Sequence, residues 1–126
     1  MKRREAREKA VQTLFQLDNT ELSINEAITY IIEEPVNRFY EQIVRGTVEN
    51  KEEIDEVLTE KLENWSLDRL PKIERTVLRI AVYELLYNEE VPHRVVINEA
   101  IELCKTFGDE KSGRFVNGVL SKFEEK

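Results

Sequence analysis

The sequence predicts an all-α protein. Three observations carry that prediction: apolar residues recur at helical spacing in seven stretches, turn residues are scarce, and no strand candidate survives. The 126 residues include only 4 Gly and 3 Pro, too few for the many tight turns of an all-β fold. The β-branched run Arg94-Val95-Val96-Ile97 is short and merges into a helical period.

The first helix is expected over 3–17, where Ala6, Ala10, Val11, Leu14, Phe15 and Leu17 form one apolar stripe, ended by Asp18, Asn19 and Thr20. Ser23 followed by Glu26 is a capping-box pattern that starts a second helix through Ala27, Ile28, Ile31 and Ile32, stopped by Glu34 and Pro35. A third spans about 36–49 with Phe39, Tyr40, Ile43, Val44 and Val48 inward, and a fourth about 51–63 with Ile54, Val57, Leu58 and Leu62. Trp65 to Leu70 reads as a connector. Pro71 suits the first turn of a fifth helix over about 71–88, apolar on more than one face and therefore central. A sixth begins between Pro92 and Val96, carries Ile97, Ala100, Ile101, Cys104 and Phe107, and stops at Gly108. Ser112 can cap a seventh, with Phe115, Val116, Val119, Leu120 and Phe123 inward and a charged tail beyond. Ile80, Leu85 and Ile101 are expected in the core.

A chain this long hides roughly two-thirds of its unfolded surface and folds without staples. Hydrophobic residues make up 40 % and charged residues 36 %, which suits one domain over 1–126 with a solvated helical surface. With one cysteine and one histidine, neither a disulfide framework nor a structural zinc site is available. No apolar run is long enough to span a membrane and no signal peptide is visible, so a cytoplasmic location is expected.

Catalysis finds no support. The four glycines, Gly46, Gly108, Gly113 and Gly118, are scattered and make no phosphate loop. Cys104 lies on an apolar stripe and reads as a buried, inert thiol; His93 reads as an exposed helix-start residue. Arg79 with Glu84 or Glu99 reads as an interhelical ion pair, since an unpaired charge in such apolar stretches is costly.

Charge carries more information. The net charge is −7, yet residues 1–9 hold Lys2, Arg3, Arg4, Arg7 and Lys9 against Glu5 and Glu8, a net of +3. Residues 18–63 hold 13 acids and 4 bases, a net of −9, and residues 105–122 return to +2. Such a chain repels polyanions except at its basic segments. Arginines at a helix N-terminus oppose the helix dipole, which points to a partner anion there.

Four strings, in order over about 4–123, carry a family resemblance. The run from Arg4-Glu5-Ala6-Arg7 to Thr13-Leu14-Phe15 resembles the arginine-rich opening helix of the NusB family of bacterial antitermination factors. Val77-Leu78-Arg79-Ile80-Ala81-Val82-Tyr83-Glu84-Leu85 resembles that family's central helix. Val91-Pro92, Val96 to Leu103 and Phe107-Gly108 resemble its sixth helix, and Phe115-Val116-Asn117-Gly118-Val119-Leu120 its last.

The resemblance implies about seven helices in two packed bundles and a non-enzymatic factor without cofactor or metal. It implies binding to the boxA segment of ribosomal RNA leader transcripts, as a heterodimer with the ribosomal protein NusE. That pair joins RNA polymerase with other Nus factors and suppresses premature termination. A homodimer that hides the RNA face is a compatible resting form. The same module occurs fused to RNA cytosine methyltransferases, and a stand-alone relative of that module is one alternative. Another is a helical adaptor whose basic helix binds an acidic protein instead of RNA. Glu5 interrupts an arginine cluster that is often denser in the family.

For single-stranded RNA, the expected contacts are Arg3, Arg4 and Arg7 to phosphates, with Lys2 and Lys9 as point charges. Gln12, about one turn beyond, can read a base edge. Phe15 and Phe115 are either stacking platforms or core residues. Lys111, Ser112 and Arg114 extend the basic surface if the last helix starts near the first, as the resemblance suggests. The resemblance also points to Glu74, Arg75 and Glu84 on the fifth helix for the NusE face, where an acidic factor meets a basic protein.

Overall fold

Among the described residues, seven α-helices account for the architecture: α1 (Arg3–Asn19), α2 (Ile24–Ile31), α3 (Arg38–Glu49), α4 (Lys51–Lys61), α5 (Lys72–Tyr87), α6 (His93–Phe107) and α7 (Glu110–Leu120). A 3₁₀ turn at Leu67–Arg69 precedes α5, and there is no strand among the described residues. This computed structural model describes residues 1–33 and 35–123. The expected stop at Glu34 and the charged tail past residue 123 lie outside the described residues.

Local chemistry explains most boundaries. Ser23 and Glu26 close the capping box: the Ser23 hydroxyl accepts from the Glu26 N–H, and the Glu26 carboxylate accepts from the Ser23 N–H, both at 3.1 Å. These bonds hold the Glu26 carboxyl below its ordinary value. The Asn37 side chain caps α3 by accepting from the Tyr40 N–H at 3.0 Å. At α7 the expectation is corrected: Asp109, not Ser112, is the cap, and its carboxylate accepts from the Ser112 N–H at 2.8 Å. A carboxylate there also complements the helix dipole. Gly108 ends α6 as expected, with its N–H donating to the Cys104 carbonyl at 2.7 Å. Its φ of −135° is not left-handed; glycine fits because a Cβ would sit 3.0 Å from that same carbonyl.

The helices form two groups. In the first, α1 packs on α2 and α3; in the second, α5 packs on α4, α6 and α7. α5 also touches α1 and α3, so it is the central element expected from its apolar faces. Val77, Leu78, Ile80, Ala81 and Val82 of α5 are all buried in one continuous core with Val11, Ile43, Val44, Ile54, Leu58, Val116 and Leu120. Gly46 lets α3 and α5 approach closely, because the Tyr83 ring occupies the space a Cβ would take. Of the three residues expected in the core, Ile80 is buried, whereas Leu85 and Ile101 are only half-buried at its edge. Cys104 is fully buried, and burial, with Glu74 and Asp109 nearby, pushes its thiol up to about 12, as an inert core cysteine requires.

The burial of Ile80 yields a stability test. Ile80→Ala should cost about 2–5 kcal/mol, against a much smaller loss for Ile101→Ala at the core edge. Urea denaturation of both variants measures the difference.

Candidate nucleic-acid interface

The basic opening of the chain is built on the first turn of α1, and helical geometry sorts its arginines. Arg7 shares a face with Ala6, Ala10, Val11 and Leu14, the face that packs into the core. Its side chain is only 3 % exposed. Its Nε and Nη2 donate to the two carboxylate oxygens of Glu84 on α5, at 2.9 and 2.8 Å, a paired fork on a buried acid. Its Nη1 reaches Glu99 on α6 at 3.5 Å.

Arg4 stands one turn earlier and is 62 % exposed. Its Nε and Nη2 donate to Glu99 at 3.1 and 2.7 Å. The hydrogen bond from Arg4 is the main reason the Glu99 carboxyl is held below its ordinary value, with the charges of Arg4 and Arg7 acting in the same direction against burial. The Arg4 guanidinium is held up in return. Glu99 thus fixes the Arg4 fork while the Nη1 hydrogens stay free to donate elsewhere.

Arg3 is 54 % exposed and only loosely paired, 3.8 Å from Glu90. Its guanidinium lies 4.7 Å from the centre of the Phe39 ring, and that of Arg7 lies 5.0 Å from the same ring. Phe39 of α3 therefore props two arginines at once, a role its place on an inward stripe did not signal. Lys2, at the helix start, is exposed.

Three expectations are corrected here. Arg7 is not placed to meet a phosphate, because it is buried and its fork is filled by Glu84. Glu84 is not on a partner surface, since it is itself 2 % exposed and spent on Arg7. The ion pair expected between Arg79 and Glu84 or Glu99 is also corrected: Arg79 forks onto Asp55 of α4, at 2.8 and 3.0 Å.

The remaining site residues lie farther along. α1 and α6 run in the same direction: Arg4, in the first turn of α1, meets Glu99 midway along α6, and Phe15, farther along α1, meets Phe107 at the end of α6 edge-on, ring centres 6.2 Å apart. Phe15 is half-buried and also carries Lys72, whose Nζ sits 4.9 Å over its ring and donates to its carbonyl at 3.1 Å. Its ring is thus largely engaged by the protein. Gln12 is half-buried between the two ends. α7 begins just beyond Phe107, so Lys111 and Ser112 stand at the Phe15 end of α1, ~18 Å from Arg3 along the helix axis. Lys111 and Arg114 are exposed, and Phe115 is half-buried, its ring edge-on to Trp65 at 5.4 Å. The structure therefore makes two separate basic ends, not one cluster.

On the fifth helix, Glu74 and Arg75 are half-buried; Arg75 donates to the Asp68 carbonyl at 3.4 Å and faces Asp18 at 4.0 Å. His93 opens α6 as expected but is half-buried. Among the described residues no cluster of His, Cys, Asp and Glu could hold a metal, and no helix is long and apolar enough to cross a membrane.

The sequence profile of the NusB family matches residues 4–125. The chain belongs to the NusB family. It is 69 % identical over 126 residues to the transcription antitermination protein NusB of Lysinibacillus sphaericus, covering 100 % of this chain and 99 % of that protein. Its fold is similar to that of NusB from T. maritima, with a TM-score of 0.88 and 38 % identity over 97 % of this chain and 89 % of that one. It is also similar to a chain in a crystal structure of the antitermination factors NusB and NusE in complex with double-stranded RNA. There the TM-score is 0.83 and the identity 34 %, over 94 % of this chain and 92 % of that one. The Arg-rich opening, the α5 string and the Phe-Val-Asn-Gly-Val-Leu string of α7 all lie inside these matches.

The buried fork predicts a sharp asymmetry between variants. Arg7→Ala leaves Glu84 charged and unpaired in the core and should cost about 3–5 kcal/mol, whereas Arg7→Met with Glu84→Leu should recover most of that loss. Denaturation midpoints of the three proteins settle it. Glu99 gives a pH prediction. Its folded value is depressed, so its contribution is present above the ordinary 4.5 and is lost as pH falls through the lower folded value. The stability gap between the parent and Glu99→Gln, measured by thermal melts, should therefore be widest near neutrality and close under acid conditions.

Proposed function

We propose that this protein is a non-enzymatic transcription antitermination factor acting in the cytoplasm. It binds boxA-type single-stranded RNA of ribosomal RNA leader transcripts together with NusE, and acts within the RNA polymerase elongation complex with other Nus factors. The observation that carries this reading is likeness over nearly the whole chain: 69 % identity to a NusB protein, and a shared fold with a chain crystallised with NusE and RNA.

The geometry gives the reading a mechanism. Lys2, Arg3 and Arg4 present cations at the open end of α1, and Glu99 occupies the Nε–Nη2 edge of Arg4 while its Nη1 hydrogens stay free. Arginine's planar fork suits phosphate oxygens. At the other end of α1, Lys111 and Arg114 add charge beside Phe115, and Gln12 lies between the two ends. A short single strand running along α1 meets both ends. Arg7 supports this surface from beneath by fixing α1 against α5. For NusE the reading keeps Glu74 and Arg75 at the start of α5, on a chain whose net charge of −7 suits a basic ribosomal protein. Two proteins holding one RNA then gain through effective concentration.

One titration tests this. Labelled boxA-type RNA is titrated with the protein, with and without NusE, beside a scrambled RNA. NusE should tighten binding of the boxA-type RNA, and RNA should tighten NusE binding by the same factor. Arg3→Ala should weaken binding and make the log–log salt dependence shallower by roughly 0.7. Equal binding of both RNAs in the presence of NusE would reduce the basic end to a nonspecific patch. No response to NusE would leave a helical adaptor with another partner.

A further inference from the structure

We propose that Trp65 and Phe115 form a base-stacking platform, so that Trp65 is an RNA-contacting residue at the second basic end of the molecule. This rests on the reading above that the chain binds single-stranded RNA.

Trp65 is the only tryptophan in the sequence, and it is 58 % exposed. A ring of that size left in water is costly, because indole loses more by exposure than almost any other side chain. The exposure is built in by the backbone. Asn64, immediately before it, has φ of 63°, the only positive value at a non-glycine among the described residues. Asparagine tolerates this left-handed turn, and the turn throws the chain out of the α4 direction before Leu67 and Leu70 bury themselves again. Leu67 and Leu70 anchor the connector on either side of Arg69, while Trp65 stands outside.

Trp65 is not a free side chain. It meets the Phe115 ring at 5.4 Å with an interplanar angle of 72°, an edge-on contact that steadies its orientation. Phe115 is half-buried, so one side of the pair is held by the protein and the other faces solvent. A rigid, solvent-facing indole is what an unpaired base stacks upon.

Cations stand closest to the two rings. Arg69 lines the same cleft as Trp65, with Asn64 and Ser66. Arg114, next to Phe115 on α7, is exposed, and so is Lys111 one turn before Phe115. Lys122 stands near the end of α4, donating to the Lys61 carbonyl at 2.9 Å. The opposing carboxylates are Glu63, which faces Lys122 at 3.6 Å, the exposed Asp68, and Asp109 and Glu110 at the start of α7, of which Asp109 accepts from the Ser112 N–H. By contrast, the cleft between Arg3, Arg38, Tyr83 and Tyr87 also offers aromatic rings, but Glu41, Glu49, Glu89 and Glu90 line it or its continuation. The cleft at Trp65, unlike that one, is lined by a cation and by no carboxylate. A protein partner would use an exposed tryptophan equally well, but Arg69 in the cleft and continuity through Phe115 with Lys111 and Arg114, which the reading above gives to RNA, select RNA.

A lone tryptophan makes the test direct. The full-length protein is titrated with unlabelled boxA-type single-stranded RNA while indole emission is followed, and in parallel with labelled RNA by anisotropy. The expected result is quenching of the emission in step with anisotropy. Trp65→Leu, at an exposed position, should keep its melting temperature yet bind the RNA roughly 10-fold or more weakly, and Trp65→Phe should recover much of that loss. Saturating anisotropy with unchanged emission, and a Trp65→Leu protein that binds like the parent, would overturn the platform and leave RNA binding intact. Unchanged RNA affinity with weakened NusE binding in Trp65→Leu would reassign the residue to the protein partner. Absence of RNA binding by anisotropy, with or without NusE, would overturn this proposal and the reading it rests on together.

Discussion

The fork between Arg7 and Glu84 is the contact on which the rest of the architecture depends. Both side chains are almost wholly withdrawn from water, so each is tolerable only because the other is there. The pair ties α1 to α5, and Glu99 extends the tie to α6. A planar fork on a carboxylate fixes rotation and translation together, in a way that the apolar contacts of Ala6, Ala10 and Val11 alone do not. With Arg7 turned inward, the helical period leaves Arg4 at the rim and Arg3 over Phe39. The exposure of the two outer arginines is a consequence of the burial of the third.

Much of this could be read from the chain. Apolar periodicity located the helices, because an amphipathic stripe is written in local spacing. Capping chemistry located the start of α2 for the same reason. The ion pairs were harder. Arg79, in an apolar stretch, needs a carboxylate, but Asp55 is supplied by the packing of α4 on α5, which no spacing within α5 reveals. Charge counting alone makes Arg7 one of three equivalent arginines. A signal was nonetheless available: it precedes Ala10 by three positions and Val11 by four, so it shares their inward face. Glu84 carried the complementary signal, lying amid Ile80, Ala81 and Leu85. Trp65 sat in a connector without period, and its outward position is set by the turn at Asn64.

The electrostatics follow a single logic. An acidic chain that must present cations has to keep them from collapsing onto its own carboxylates. Here that is done by partial engagement. Glu99 grips Arg4 from one side, Glu90 stands only loosely by Arg3, and Phe39 offers a face that attracts guanidinium without neutralising it. The acids of α4, such as Glu52, Glu56 and Glu60, remain on an outer face of their own helix.

The tie between α1 and the later helices spans a long stretch of chain: 77 residues separate Arg7 from Glu84, and 95 separate Arg4 from Glu99. A ribosome delivers the amino end first. While α2 to α4 are being made, Glu84 and Glu99 do not yet exist for Arg4 and Arg7 to meet, and α1 has only α2 and α3 to lean on. The basic helix can settle into its final place only after α6 has emerged, when most of the chain is already built. Until then Arg4 and Arg7 lack the two carboxylates that fix them in the finished fold.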